Sequence, residues 1–183
     1  MIEEQALCPI AVFLAASVML YKALEANTTG TNNVAVGDIA LDANTTGTQN
    51  IAIGRNALGL NTTASYNVAI GNNTLETTTT GHSNVGVGDG VLVSNTASNN
   101  TGIGHRALVA NTTGTYNVAV GAEALDHNTT GSSNTAVGYS ALDANTTGAS
   151  NSGLGVQALG SLTTGDYNTA VGGNALIACE TSD

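Results

Sequence analysis

The chain has 183 residues, with thirteen acidic against three basic side chains for a formal charge of −10, and only 9% of its residues are charged and 3% aromatic. The length is enough for one domain with its own core, while the charge has the wrong sign for tracking phosphate backbones or anionic lipid heads, which excludes nucleic acid as a partner. A composition dominated by Gly, Asn, Thr, Ala and Val, with no Trp, fits neither an ordinary enzyme nor a charged disordered tail and points to internal repetition.

Residues 1–22 carry a 16-residue apolar run from Ala6 to Tyr21, preceded by Glu3 and Glu4. The run is short of the roughly 20 residues a membrane-crossing helix needs, and it lacks the positive opening of a secretory signal. Pro9 suits the start of a helix. The expectation is a short apolar N-terminal helix, with assembly element, membrane anchor and export signal as its open roles.

From residue 23 to residue 176 the chain repeats, leaving 177–183 as a tail. Leu24, Leu41, Leu58, Leu75, Leu92, Leu108, Leu125, Leu142, Leu159 and Leu176 recur every 17 residues, with one 16-residue step between Leu92 and Leu108. A solenoid of about nine coils accounts for that regularity. The unit reads A-L-x-x-N-T-T-G-x-x-N-V-A-V-G-x-x, most clearly in Ala107 to Glu123. Its N-V-A-V-G segment alternates with period two, the pattern of a strand. Val118 and Val120 are expected to point inward and to stack on their equivalents, forming a core with Leu24, Leu41, Leu58, Leu108, Leu125 and Leu142. Thr135, Ser152 and Thr169 replace the first of the two valines, which predicts a thinner core toward the C-terminus. The small residues between, typified by Asn117 and Ala119, are expected to face outward, where another backbone such as a trimer axis could approach.

Glycine closes the strand in all nine units, as Gly37, Gly54, Gly71, Gly88, Gly104, Gly121, Gly138, Gly155 and Gly172. A corner with positive φ requires that residue. N-T-T-G is turn chemistry, since Asn tolerates left-handed geometry and bonds its own backbone, and stacked Asn side chains form ladders along the axis. Coils about 4.8 Å apart bring identical charges together at a cost of about 1 kcal/mol even in water, which explains why charge is scarce.

No motif for catalysis, cofactor or metal emerges, and the chain reads as a non-enzyme. Glu25, Asp42, Glu76, Asp126 and Asp143 follow the leucine and line one edge as a solvated acidic stripe, without calcium-loop spacing. His82, His105 and His127 occupy different repeat positions and read as variable surface residues. Gly86-Val87-Gly88 and Gly153-Leu154-Gly155 resemble phosphate loops only superficially, since no lysine or helix follows. Asn27, Asn44, Asn61, Asn111, Asn128 and Asn145 begin N-T-T acceptor sequons, so one face is a candidate for a row of glycans.

The repeat resembles those of bacterial and phage tail-fibre-like surface proteins, and its N-V-A-V-G strand is similar to the head repeats of trimeric autotransporter adhesins of the YadA type. That resemblance implies left-handed parallel β-rolls, often trimeric, that serve as shafts or adhesive heads on a cell or virion surface. The functional expectation is a structural subunit of an extracellular filament that stacks on itself end to end. The alternative is the shaft or head of a trimeric adhesin or tail fibre with a receptor-binding role. Cys8 and Cys179 lie at opposite ends of some nine coils, about 40 Å apart at strand spacing. A disulfide needs Cα atoms within about 7 Å, so a bond between them is expected to join two subunits.

Overall fold

The computed structural model describes residues 21–178. Cys8, Cys179 and most of the expected N-terminal helix lie outside the described residues. Nine three-residue strands occupy the repeats: β1 (Val34–Val36), β2 (Ile51–Ile53), β3 (Val68–Ile70), β4 (Val85–Val87), β5 (Thr101–Ile103), β6 (Val118–Val120), β7 (Thr135–Val137), β8 (Ser152–Leu154) and β9 (Thr169–Val171). They pair in chain order as one parallel sheet. The fold is the expected all-β parallel solenoid.

Register follows the repeat, with Val34 beside Ile51 and Val118 beside Thr135, and the short step pairs Val85 with Thr101. The missing residue is taken out of a turn rather than a strand. Asn44, Asn61 and Asn111 each bond the carbonyl three residues on, whereas Asn95 bonds Ala97 O, two residues on. A deletion in the strand would have moved side chains to the opposite face.

Between strands the chain coils through successive tight turns, closed by bonds such as Ala40 N–H to Gly37 O at 3.4 Å and Asn44 N–H to Leu41 O at 3.3 Å. All nine corner glycines have positive φ, between 119° and 138°. At Gly121 (φ 138°) an added Cβ would lie 2.6 Å from the carbonyl carbon of Gly138 and closer still to its oxygen, so both backbone angle and coil stacking demand glycine there.

The leucines were not expected to be strained, yet Leu41, Leu58, Leu125 and Leu142 all adopt left-handed backbone, φ 52–54°. That conformation costs a non-glycine residue about 1–2 kcal/mol. Burying a leucine side chain is worth about 1.5–3 kcal/mol, and these four are fully buried. Their N–H groups also pair with the next coil, as Leu41 does with Ala57 O at 3.0 Å and Leu125 with Ala141 O at 3.1 Å. Packing therefore carries the strain.

The strand alternates as expected but in the opposite phase. Ala52, Ala69, Ala119 and Ala136, at the middle of their strands, are fully buried, and so is Asn117, while Val118 is 37% and Val34 45% exposed. The expected inward valines face out, and the small residues expected on an outer face line the core. The physical reason is room. Each coil is only 17 residues around, and the leucine column already fills the space opposite the strand, so a methyl group is all that fits.

Two coils demonstrate that limit. Where the alanine before the leucine is replaced by the larger Thr74 or Val91, the facing strand alanine becomes Gly86 or Gly102. A Cβ at Gly86 would lie 2.6 Å from Thr74 Cγ2, and one at Gly102 would lie 2.6 Å from Val91 Cγ1. Volume is conserved across the pair. The same correction applies to Thr135, Ser152 and Thr169: they lie on the outward side of the strand, so they reduce exposed apolar surface rather than thin the core.

Candidate functional site

Side-chain chemistry in this molecule is organised as columns along the solenoid axis, because each position recurs one strand spacing on. Two columns are asparagine ladders inside the fold. In the first, Nδ2 of each turn asparagine donates to Oδ1 of the one before it: Asn44 to Asn27, Asn61 to Asn44, Asn128 to Asn111 and Asn145 to Asn128, each at 2.8 Å. The second uses the asparagine before each strand. The Asn117 N–H donates to Asn100 Oδ1 at 2.9 Å while Asn117 Nδ2 donates to Gly131 O at 2.8 Å.

The second ladder is continuous from Asn33 to Asn168. The first is interrupted where Thr78 and Leu162 take the asparagine position. Asn61 Oδ1 and Asn145 Oδ1, one coil before each interruption, are buried with no hydrogen-bond partner among the described residues. The Thr78 hydroxyl donates elsewhere, to Asn95 O at 2.9 Å, and leucine has no donor to give.

These ladders decide the glycan expectation. Asn44, Asn61, Asn111, Asn128 and Asn145 are fully buried, and each amide nitrogen donates both to the ladder oxygen of the coil before and to the backbone carbonyl three residues on. A glycan on the folded solenoid cannot be attached to a buried amide, so the row of glycans expected from the sequence is corrected. Asn27, in the first described coil, is half-buried and its nitrogen donates to Gly30 O at 3.0 Å.

The acidic stripe lies where expected, with Glu25 exposed, Asp42, Glu76 and Asp143 half-buried and Asp126 buried. Burial pushes the Asp42 carboxyl above its ordinary range. Asp126 differs because Arg106 grips it in a bidentate pair, Nε to Oδ1 at 3.1 Å and Nη2 to Oδ2 at 2.9 Å. His127 joins this cluster, its Nδ1 3.3 Å from Asp143 Oδ1 and 3.7 Å from Asp126 Oδ2. The Asp143 carboxyl is pushed up by burial, against the lowering effect of its hydrogen bond to His127.

His127 is a surface residue, as its varying repeat position suggests, but it is not without partners. The signal for them was the Asp126-His127 pair with Asp143 one repeat on, which adjacent coils bring together. One ligand atom from each of Asp126, His127 and Asp143 fits within a 4.8 Å group, as in a metal site. Both Asp126 oxygens are however engaged by Arg106, so that carboxylate is already paired with a cation of the chain itself, and the arrangement works as an ion-pair network spanning three coils. His105 lies apart from it, 3.7 Å from Asp89, and the His82 ring accepts from Ser65 N–H at 3.0 Å.

On the outside, the strand face carries two columns of branched apolar side chains, with Val34, Ile51, Ile53, Ile70, Ile103 and Val137 among its exposed members. The described coils end on β9, where Leu176 is 53% exposed although its equivalents in the inner coils are fully buried. Among the described residues, no helix is long and apolar enough to cross a membrane. Comparison of the chain with protein-family models, with characterised proteins and with solved structures finds no match.

Proposed function

We propose that this chain is a structural, non-enzymatic subunit of a self-assembling extracellular filament, built by stacking solenoids end to end. The observation that carries this reading is the sameness of the coils: nine strands pair in parallel in chain order, over a column of buried leucines that recurs once per coil. A coil whose faces along the axis match those of its neighbours is a template for another coil of the same kind. Every element that a second solenoid needs is already repeated at the right spacing: strand hydrogen bonds, the leucine column and the asparagine ladder. An intersubunit Cys8–Cys179 bond belongs to this reading and predicts a multimer ladder on non-reducing electrophoresis that collapses on reduction.

The test is negative-stain microscopy with light-scattering mass measurement. Wild-type protein is expected to form filaments one solenoid wide. Leu176→Asp places a charge in the stacking slice, yet touches a side chain already half exposed in the monomer. It should leave monomer melting unchanged and abolish filaments. Discrete particles of fixed mass in the wild type would reject lengthwise stacking.

A second reading, the shaft or head of a trimeric adhesin or tail fibre, is favoured by the outward apolar strand face. Nine coils of valine, isoleucine and leucine at about 4.8 Å spacing form a long flat ridge suited to sideways association. Under that reading the same measurement returns a trimer mass that Ile53→Lys and Ile70→Lys reduce to a monomer.

A further inference from the structure

Three of the five tyrosines occupy a single column. Tyr66, Tyr116 and Tyr167 each precede a ladder asparagine, in the third, sixth and ninth coils. In the coils between, that position holds only Ser or Asn: Ser83, Asn99, Ser133 and Ser150. No coil has a charge there.

Neither packing nor backbone preference explains an aromatic at this site. The three residues are 57%, 63% and 83% exposed, so they gain little from burial. Their φ values are 64°, 59° and 58°, a region that Asn enters readily and an aromatic residue rarely does. Asn32 and Asn99 fill the same position at φ 59° and 64°. Asparagine is therefore the unstrained choice, and tyrosine in every third coil is a feature that folding does not require.

The backbone of the column is tied to the neighbouring coils. The N–H of Tyr66 donates to Thr48 O and that of Tyr167 to Ala149 O, both at 3.1 Å, which keeps successive coils at strand spacing. Three coils at strand spacing separate successive tyrosines by about 14 Å along the stack. Constant intervals suit a ligand that itself repeats. A folded partner without internal repeats has no such period, whereas a linear polymer has; a second copy of this solenoid shares the period and is separated from a polymer by the test below.

We propose that the column of Tyr66, Tyr116 and Tyr167 is a binding track for an uncharged linear polysaccharide lying along the solenoid axis. A pyranose ring presents an apolar C–H face that stacks on an exposed aromatic ring. Its equatorial hydroxyls then meet the tyrosine hydroxyls and the Ser and Asn side chains between the platforms, the mixture of flat apolar area and sparse polar groups that sugar-sized ligands use. The formal charge of −10 repels anionic polymers, and the column itself holds no charged residue to pair with a cationic one, so neutral glycans are the class that fits. Each platform alone is weak, but three on one solenoid bind the same chain with an avidity above that of any single site.

The test is affinity electrophoresis of the full chain in native gels cast with hydroxyethylcellulose, galactomannan or glycol chitin, three soluble neutral polysaccharides. Retarded migration is expected in at least one gel, with little dependence on salt. Tyr66→Asn, Tyr116→Asn and Tyr167→Asn are mild substitutions, since asparagine is native to this column. Each should weaken retardation several-fold, and the triple variant should abolish it with its melting temperature unchanged. Tyr→Phe at the same positions should retain most of the binding, because the ring face carries it. Absence of retardation in all three gels, or equal retardation of the triple variant, overturns the proposal. So does a change in oligomer mass in the triple variant, which would assign the column to contact with a second copy. The filament reading stands or falls separately, on the Leu176→Asp variant.

Discussion

The coils between Gly71 and Gly104 and those between Ala107 and Ser150 reach the same cross-section by different residues. The later coils set Ala107 and Ala124 against Ala119 and Ala136 and Ala141 against Gly153, with Asn111, Asn128 and Asn145 in an unbroken run of ladder bonds. The earlier ones use Thr74 with Gly86 and Val91 with Gly102, lose one residue from the turn at Asn95, and interrupt the ladder at Thr78. The strand pairing is the same in both. What the fold keeps is an upper limit on the volume across each facing pair, so that a larger Thr74 or Val91 is met by glycine, and continuity of the backbone ladder. Residue identity is free wherever those two are met.

The largest effect is expected where no compensation exists, in the regular coils. Gly121→Val adds a branched side chain at φ 138° and against Gly138, which should cost roughly 3 kcal/mol or more through backbone strain and overpacking together. The neighbouring Ala122→Val, at a half-buried position, should change stability by no more than about 0.5 kcal/mol. Equal melting temperatures for the two variants would remove the corner role from Gly121.

The irregular coils allow a sharper test, because their substitutions come in pairs. Gly102→Ala should destabilise by about 1–3 kcal/mol by crowding Val91. Combined with Val91→Ala, which restores the pair found in the regular coils, it should recover most of that loss. Denaturant melts of the two single variants and the double complete a thermodynamic cycle. Strict additivity would show that the two positions do not share one volume.

A smaller gain should follow from repairing the ladder. Thr78→Asn returns a donor to the buried Asn61 Oδ1 and reconnects Asn95 to the coils before it. The net value of a buried hydrogen bond sets the gain at about 1 kcal/mol, read as a raised melting temperature. An unchanged or lowered melting point would mean that the Thr78 bond to Asn95 O is worth as much as the ladder.

The smallest effect concerns Asp143, which faces His127, Asp126 and Glu123, with Arg106 on the far side of Asp126. Its folded-state pKa is raised, chiefly by burial. The folded chain therefore holds this proton to higher pH than the unfolded chain, so stability falls as pH rises through the interval just above the ordinary aspartate value and is regained on acidification. Asp143→Asn should flatten the melting temperature against pH across that interval. A curve superimposable on wild type would show that the carboxyl is not linked to folding.

Much of this was legible in the leucine spacing, the period-two strand and the invariant corner glycine, since a 17-residue repeat of that pattern leaves few ways to pair its backbone. The phase of the strand was not legible. Alternation states that two faces differ but not which is inside, and Val118 is by transfer energy the better core residue than Ala119. The sequon reading failed for a related reason: Asn128 followed by Thr129 and Thr130 is the same string whether the amide faces water or sits in a ladder.

Sequence alone thus determined the parallel solenoid, its coil length, its corners and the absence of a phosphate-binding charge. These follow from local propensity and from the cost of stacking like charges about 4.8 Å apart. Tertiary structure decided which strand face is buried, which asparagines are shielded, that His127 meets Asp126 and Asp143, and that Tyr66, Tyr116 and Tyr167 share one exposed column. Each of these depends on the narrow cross-section and on coil-to-coil stacking: an interior filled by leucine admits only alanine or glycine opposite it, and residues a repeat or more apart in the chain become neighbours along the axis.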